Sequence, residues 1–189
     1  MDKINLATIR QTFANTVFTH KVQEIAAEFN QTKSFYVKIV NISLVGVVLV
    51  LLVLQLSFAS IAAFSYIGAG VTVGEIIFLI IQLSFGFEQQ TVTNKNSALK
   101  YLQLRDKYRL LIADVMNENI TSDELISRRD LLQSEYQVIS DLAPQTGSEE
   151  YIMAQKRLNT NDQKNGEQCT WADEEIDRFL PENLRINKI

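Results

Sequence analysis

The sequence predicts an all-α membrane protein made of a two-helix transmembrane hairpin and a cytoplasmic helical bundle. Residues 39–87 are almost uninterruptedly apolar and hold one charged residue, Glu75. The segments on either side place apolar side chains three and four residues apart, which is typical of amphipathic helices. We therefore divide the chain into an amphipathic N-terminal helix (1–38), the hairpin (39–87), a cytoplasmic helical domain (88–158), and a linker with a short C-terminal helix (159–189).

The apolar stretch is long enough for two membrane crossings. As helix, its 49 residues would measure about 74 Å, against about 30 Å for a hydrocarbon core. We expect the turn at residues 65–70, where two glycines permit a tight reversal, with spans at 39–64 and 71–87. Two buried helices of a soluble protein are the alternative. Because residues 44–54 leave no polar face for water, we favour the membrane.

The distribution of cations predicts the orientation. Lys33 and Lys38 precede the first span and five Lys or Arg residues lie between 95 and 109, whereas the expected turn has none. The positive-inside rule then places both termini in the cytoplasm and the protein in the inner (cell) membrane.

The N-terminal segment is predicted to be an amphipathic helix, with an apolar face that includes Leu6, Ile9 and Phe13. Its polar face includes Arg10 and Gln23 and is not strongly basic, so we expect packing against the C-terminal helices rather than binding to a membrane surface. His20 is expected to be solvated. Residues 30–34 interrupt the pattern, with Thr32 or Ser34 available as an N-cap for the next helix.

Three further helices are predicted before residue 159 and one after it. The first covers about 94–117. Thr121 opens the second with a capping-box sequence, and Pro144 stops it. A shorter helix contains Tyr151, and residues 159–168 resemble a polar linker. Residues 170–173 then cap a last helix that ends at Pro181.

Composition argues against several classes of function. The net charge is -4, and residues 88–189 carry 13 Lys/Arg against 18 Asp/Glu, so no direct nucleic-acid binding is expected. One cysteine and one histidine cannot form a protein-only zinc site. The acidic clusters lie at helix N-termini, where they complement the helix dipole. The sequence contains no phosphate-binding glycine loop, nucleophile elbow or metal-ligand cluster, so we expect neither an enzyme nor a cofactor.

The arrangement is similar to a known family. An amphipathic lead helix and a membrane hairpin are followed by ALKYLQLRDKYRLLIADV, ITSDELISRRDLLQSEYQVISDLAPQT and EEYIMAQKRL. This combination resembles the SLATT superfamily, which comprises bacterial two-span effectors associated with nucleotide-second-messenger and reverse-transcriptase defence loci. The resemblance implies a membrane effector that oligomerises and forms a pore or disrupts the membrane in abortive infection. It also implies a nucleotide signal or a partner enzyme, such as a nucleotide-synthesising enzyme or a reverse transcriptase encoded nearby.

Two other functions stay open at this point. The chain could be an adaptor that holds a partner enzyme at the bilayer without forming a pore, or a holin-like lysis protein. The large helical cytoplasmic domain makes the holin less attractive. Neighbouring genes would separate these functions, since a muralytic enzyme would favour the holin.

Polar residues of the spans are the candidate pore-lining residues. Two helices cannot enclose a water path, so a pore requires a homo-oligomer. An intramembrane carboxylate normally faces a helix partner, water or a conduction path. Glu75 lies about 6 Å inside the outer edge if its helix starts at Val71, and about 15 Å inside if it starts at Ser65. An alternative of equal weight is that Glu75 forms hydrogen bonds at the outer membrane–water interface and only fixes the hairpin. Weaker candidates for pore lining are Gln55, Ser60, Thr72 and Gln82.

Four residues of the cytoplasmic helices are candidates for contacts, either between subunits or within the bundle of one chain. They are Tyr101, Tyr108, Leu132 and Tyr136.

Overall fold

The computed structural model describes residues 3–58, 62–160 and 170–186, and within these ranges it contains helices and no strand. The all-α fold class is confirmed. The elements are α1 (Lys3–Ser57), α2 (Ala62–Phe85), α3 (Phe87–Met116), α4 (Ser122–Leu142), α5 (Ser148–Leu158), α6 (Asp173–Phe179) and a 3-10 turn at Glu182–Leu184.

The chain forms two compact units. One, which we call the bundle, combines Met1–Ala27 with Val92–Ile189, and the other, the hairpin unit, is Glu28–Thr91. Helix α1 contributes its first part to the bundle and its second part to the hairpin unit.

The bundle has an apolar core to which every one of its helices contributes. The N-terminal part of α1 buries the stripe that its spacing predicts, so packing against the C-terminal helices is confirmed. Burying such side chains is the main stabilising term of a small domain. Core residues from the successive helices include Leu6, Ile9, Phe13, Ile25, Leu104, Ile112, Leu125, Ala154 and Ile176.

Helix α1 does not break at residues 30–34, and that prediction is wrong. Thr32 is not a cap: its Oγ1 donates to the carbonyl oxygen of Glu28 at 2.9 Å, one turn earlier in the same helix. Ser34 is buried. A polar run without Gly or Pro continues a helix readily, because each added residue gains a backbone hydrogen bond.

The expected turn at residues 65–70 is also wrong. Helix α1 ends at Ser57, and α2 begins at Ala62 and includes residues 65–70, so the expected spans 39–64 and 71–87 shift toward the N-terminus. In lipid no water replaces a lost backbone hydrogen bond, so glycine there stays helical. The glycine that does break a helix is Gly86, whose φ of +53° separates α2 from α3.

The predicted starts and stops of the later helices agree with the structure. The Oγ1 of Thr121 accepts a hydrogen bond from the Glu124 backbone N–H at 3.4 Å, and α4 ends two residues before Pro144. Helix α3 starts seven residues earlier than the predicted Asn94. The predicted linker lies mostly in residues 161–169, outside the described part of the chain.

Residues 170–186, which we call the C-terminal clasp, pack on the first part of α1. The Nη2 of Arg10 donates to Oδ1 of Asp177 at 2.7 Å, and both side chains are almost completely buried. Gln11 donates to the carbonyl oxygen of Trp171 at 2.7 Å and accepts from its backbone N–H at 2.8 Å. The indole N–H of Trp171 donates to Asn15 at 2.6 Å.

Two expectations for the polar face of α1 are therefore wrong. Arg10 is fully buried, because the clasp supplies a carboxylate that compensates its desolvation. His20 is half-buried rather than solvated, and burial lowers its pKa below the ordinary value of 6.5.

Candidate functional site in the hairpin unit

The apolar helices of the hairpin unit are not core helices of the chain. The helical stretches Lys3–Ser57 and Ala62–Met116 each contain an 18-residue apolar window that is long enough to cross a membrane, and no part of either window is buried. A soluble core helix would bury that surface. Lys38 and Glu88 form an ion pair at the base of the hairpin.

The two spans face each other along a regular stripe of half-buried positions. Gly68 and Leu51 mark the contact, since a Cβ on the glycine would lie 4.0 Å from that of the leucine. Exposed positions of the same helices are occupied by apolar residues such as Val53 and Ile80, which suit lipid. The half-buried positions are 41, 44, 48, 51 and 54 on α1 and 64, 68, 71, 72, 75, 78 and 82 on α2.

Four polar side chains occupy this stripe, and we call them the polar seam: Asn41, Thr72, Glu75 and Gln82. The side-chain oxygens of Asn41 and Gln82 are buried and have no hydrogen-bond partner. Within the described residues the Glu75 carboxylate has no hydrogen bond or ion pair. The hydroxyl of Thr72 donates to the carbonyl oxygen of Gly68 at 2.9 Å in its own helix. Asn41 Oδ1, Gln82 Oε1 and the Glu75 carboxylate thus lack a partner among the residues that the structure describes.

Exposed aromatic side chains indicate the depth of the seam. Phe35 and Tyr36 lie at one end of the first span and Phe58 at the other, about 33 Å further along the helix from Tyr36. Because α2 begins at Ala62, Glu75 lies about 20 Å along it, and about 15 Å remain to Phe85. Glu75 therefore lies near the middle of helix α2, and its depth in a bilayer stays a prediction.

A cavity of about 420 Å³ opens between the spans beside the seam. Gln55 and Thr72, both pore-lining candidates from the sequence, line it together with Gly68 and Ala69. Gln55 is exposed. Ser60 lies outside the described residues. Asn41 is a seam residue that sequence reasoning missed, and the only signal for it is an amide inside an apolar run.

The four candidate contact residues belong to the bundle. Tyr101, Tyr108 and Leu132 are buried there, and Tyr136 is half-buried. The Tyr101 hydroxyl lies 3.0 Å from Oγ of Ser140, and its ring meets Tyr136 edge-on at 5.9 Å. Burial raises the pKa of Tyr101 and of Tyr108. These side chains pack within one chain, and a role between subunits stays a prediction.

The arrangement places polar oxygen atoms inside otherwise apolar helices. The seam offers one carboxylate and two amides, whose oxygens replace water around cations. Among the described residues no cluster of three or more His, Cys, Asp or Glu is positioned to hold a metal.

Comparison with known families gives a match to a family of membrane effectors. The sequence model of the SMODS and SLOG-associating 2TM effector domain family 4 matches residues 6–175, which include both spans and most of the bundle. No curated protein and no solved structure matches the chain.

Proposed function

The chain belongs to family 4 of the SLATT effectors, and we propose that it assembles into a homo-oligomeric membrane pore when a partner signals infection. SLATT domains are two-transmembrane effectors of antiviral systems, and the chain is a membrane protein with two apolar helices. The proposal adds the pore, the assembly and the trigger to that class. The pore would depolarise or permeabilise the host membrane, and the infection would end with the death of the host cell.

The polar seam is the observation that carries the proposal. A charged group at the bilayer centre costs on the order of 3 kcal/mol on insertion scales. We place Glu75 near that depth, where it has no described partner, and buried oxygens of Asn41 and Gln82 are unpaired as well. Water or a second copy satisfies such groups, and a water path needs more than two helices. A ring of Glu75 carboxylates would favour cations over anions.

The surface of α2 supports close assembly in the membrane. Gly70 and Gly74 are four residues apart, and a Cβ at either would meet nothing within 4 Å. Glycines with this spacing allow the backbones of two transmembrane helices to approach each other.

The orientation that the positive-inside rule predicts also bears on the trigger. Both termini lie in the cytoplasm and the protein in the inner membrane, so the short connection between α1 and α2 faces outward. A signal then reaches the bundle from inside the cell, as a nucleotide or through a nucleotide-synthesising enzyme or reverse transcriptase encoded nearby.

The replacement Glu75→Gln tests the pore. Reconstituted wild-type protein, with its trigger present, is expected to conduct and to prefer cations, as measured by reversal potentials in asymmetric salt. Glu75→Gln should lose that preference at unchanged membrane level and oligomer size. Glu149→Gln, which removes an exposed carboxylate of the bundle, is the matched control and should behave as wild type.

Absence of conductance by the wild type with its trigger would leave the adaptor as the better account. If the wild type conducts and Glu75→Gln keeps its cation preference, the carboxylate only fixes the hairpin.

Orientation has a separate test. A cysteine at Ala62, the first residue of α2, should react with an impermeant thiol reagent added to intact cells, whereas Cys169 should not. Labelling of Cys169 from outside would reverse the topology.

A further inference from the structure

Helix α4 has a second apolar stripe that the described residues of its own chain do not cover. It buries Leu125, Leu132 and Ile139 in the bundle. Leu131, Val138 and Leu142 are 69%, 55% and 67% exposed. These three are seven and four residues apart, so they lie in one line along the helix. We call them the α4 stripe.

Helix α3 has a matching stripe. Leu99 and Leu110, 48% and 64% exposed, are eleven residues apart and continue the line of Val92. Leu131 and Leu142 are also eleven residues apart. Eleven residues make three helical turns, or about 16 Å, so the two stripes have equal length and can pack side by side. We call Leu99 and Leu110 the α3 stripe.

Four exposed charged residues beside the stripes form no described ion pair, and their sign differs between the two stripes. Lys95 and Lys100 are exposed beside the α3 stripe, and Asp123 and Asp141 are exposed on one flank of the α4 stripe. Opposite charges around an apolar centre set the partner and the register of an interface.

We propose that the α4 stripe of one copy packs on the α3 stripe of a second copy. Both complementary halves are present on the same chain, so no other protein is needed to cover either. Because the two surfaces differ, the contact can repeat head-to-tail from one copy to the next, and a ring results if the rotation closes. This inference rests on the oligomer proposed above and names the surface that holds its bundles together.

Charged replacements in the stripes test the surface on the full chain. Leu131→Glu and Leu110→Glu are expected to lower the association constant at least about tenfold, measured by light scattering of detergent-solubilised protein. Ile152→Glu is the matched control, because Ile152 is 62% exposed on α5 and lies outside both stripes. Circular dichroism should show the same helical content in all three variants, since none of the replaced side chains is buried.

A charge exchange and cross-linking identify the partner. Lys100→Asp should weaken association and Asp141→Lys, added to it, should restore it. In a Cys169→Ser background, chains with Leu99→Cys should form disulfides with chains carrying Leu131→Cys or Leu142→Cys, giving a product of twice the monomer mass in native membranes.

The outcomes separate this inference from the proposed pore. If both stripe variants associate as the wild type does, or if the cysteines link to a protein of another mass, the surface is wrong and the pore stands. A wild type that is monomeric in membranes with its trigger present overturns both.

Discussion

The bundle and the hairpin unit differ in how they treat buried polar side chains. In the bundle, Arg10 has no exposed surface, yet its guanidinium reaches Asp177 at 2.7 Å and the carbonyl oxygen of Leu184 at 3.5 Å. Gln23 likewise donates to the carbonyl oxygen of Pro144 at 3.0 Å. In the hairpin unit the oxygens of Asn41 and Gln82 have no partner.

This difference concerns how far each unit supplies hydrogen-bond partners for its own buried polar groups. An unpaired buried polar group costs about 1 to 3 kcal/mol, and more if charged, so a finished fold pairs most of them. The bundle pairs Arg10 and Gln23 through some of their polar atoms, although Arg10 Nε, Gln23 Oε1, Asn94 Oδ1 and the Tyr108 hydroxyl have no partner among the described residues. In the described hairpin unit the buried oxygens of Asn41 and Gln82 are unpaired, and the proposed oligomer would supply partners for them.

The largest expected effect comes from breaking the pairing inside the bundle. Arg10→Met removes the guanidinium that pairs with the buried Asp177 carboxylate and should lower the free energy of unfolding by about 3 to 5 kcal/mol. Urea titration of the full chain in detergent measures this through Trp171, which is the only tryptophan and belongs to the clasp.

Two variants complete that experiment. Arg128→Met removes a cation that pairs with Asp114 and Glu124 but is half exposed, so about 1 kcal/mol or less is expected. The double variant Arg10→Met/Asp177→Leu should recover part of the free energy of unfolding that Arg10→Met loses. Equal shifts for Arg10→Met and Arg128→Met would contradict the claim that the clasp depends on the buried pair.

A smaller effect separates two tyrosines of α3 that differ in pairing. Tyr101→Phe removes a hydroxyl that bonds Ser140, and about 1 kcal/mol should be lost. Tyr108→Phe removes a buried hydroxyl without a partner, which is the bundle's counterpart of the unpaired seam oxygens, so stability should stay unchanged or rise. The same urea titration applies, and a clear loss in Tyr108→Phe would mean that its hydroxyl is bonded after all.

The smallest expected effect is a pH dependence of the free energy of unfolding. We assign it to the bundle, because His20, the only histidine, lies there. Burial lowers its pKa below 6.5, against the opposing influence of Glu24, while Arg105 and Lys21 lower it further and Asp106 raises it. The unfolded chain therefore binds the proton more readily, and stability should fall as the pH drops from 7.5 through 6.5. His20→Gln should flatten this part of the urea-midpoint profile, and an unchanged slope would show that another group titrates there.

The sequence by itself determined the helices and most of the bundle core. Spacings of three and four identify Leu6, Ile9 and Phe13 as one face, because a helical period places them together whatever they pack against. Thr121 and Pro144 mark the ends of α4 through backbone chemistry that acts within a few residues. The apolar length of residues 39–87 fixed two spans, and Glu75 stood out because lipid disfavours charge.

Only the tertiary structure decided which polar residues are buried and where the hairpin turns. Arg10 looks like a surface residue until the clasp, more than 160 positions later, brings Asp177 to it. In a water-soluble protein the two glycines of residues 65–70 would favour a turn, but a membrane favours a continuous helix there. Depth along a span depends on where its helix starts, so the position of Glu75 near the middle followed from Ala62 rather than from any local pattern. Burial and depth depend on distant parts of the chain and on the solvent, and a local sequence pattern records neither.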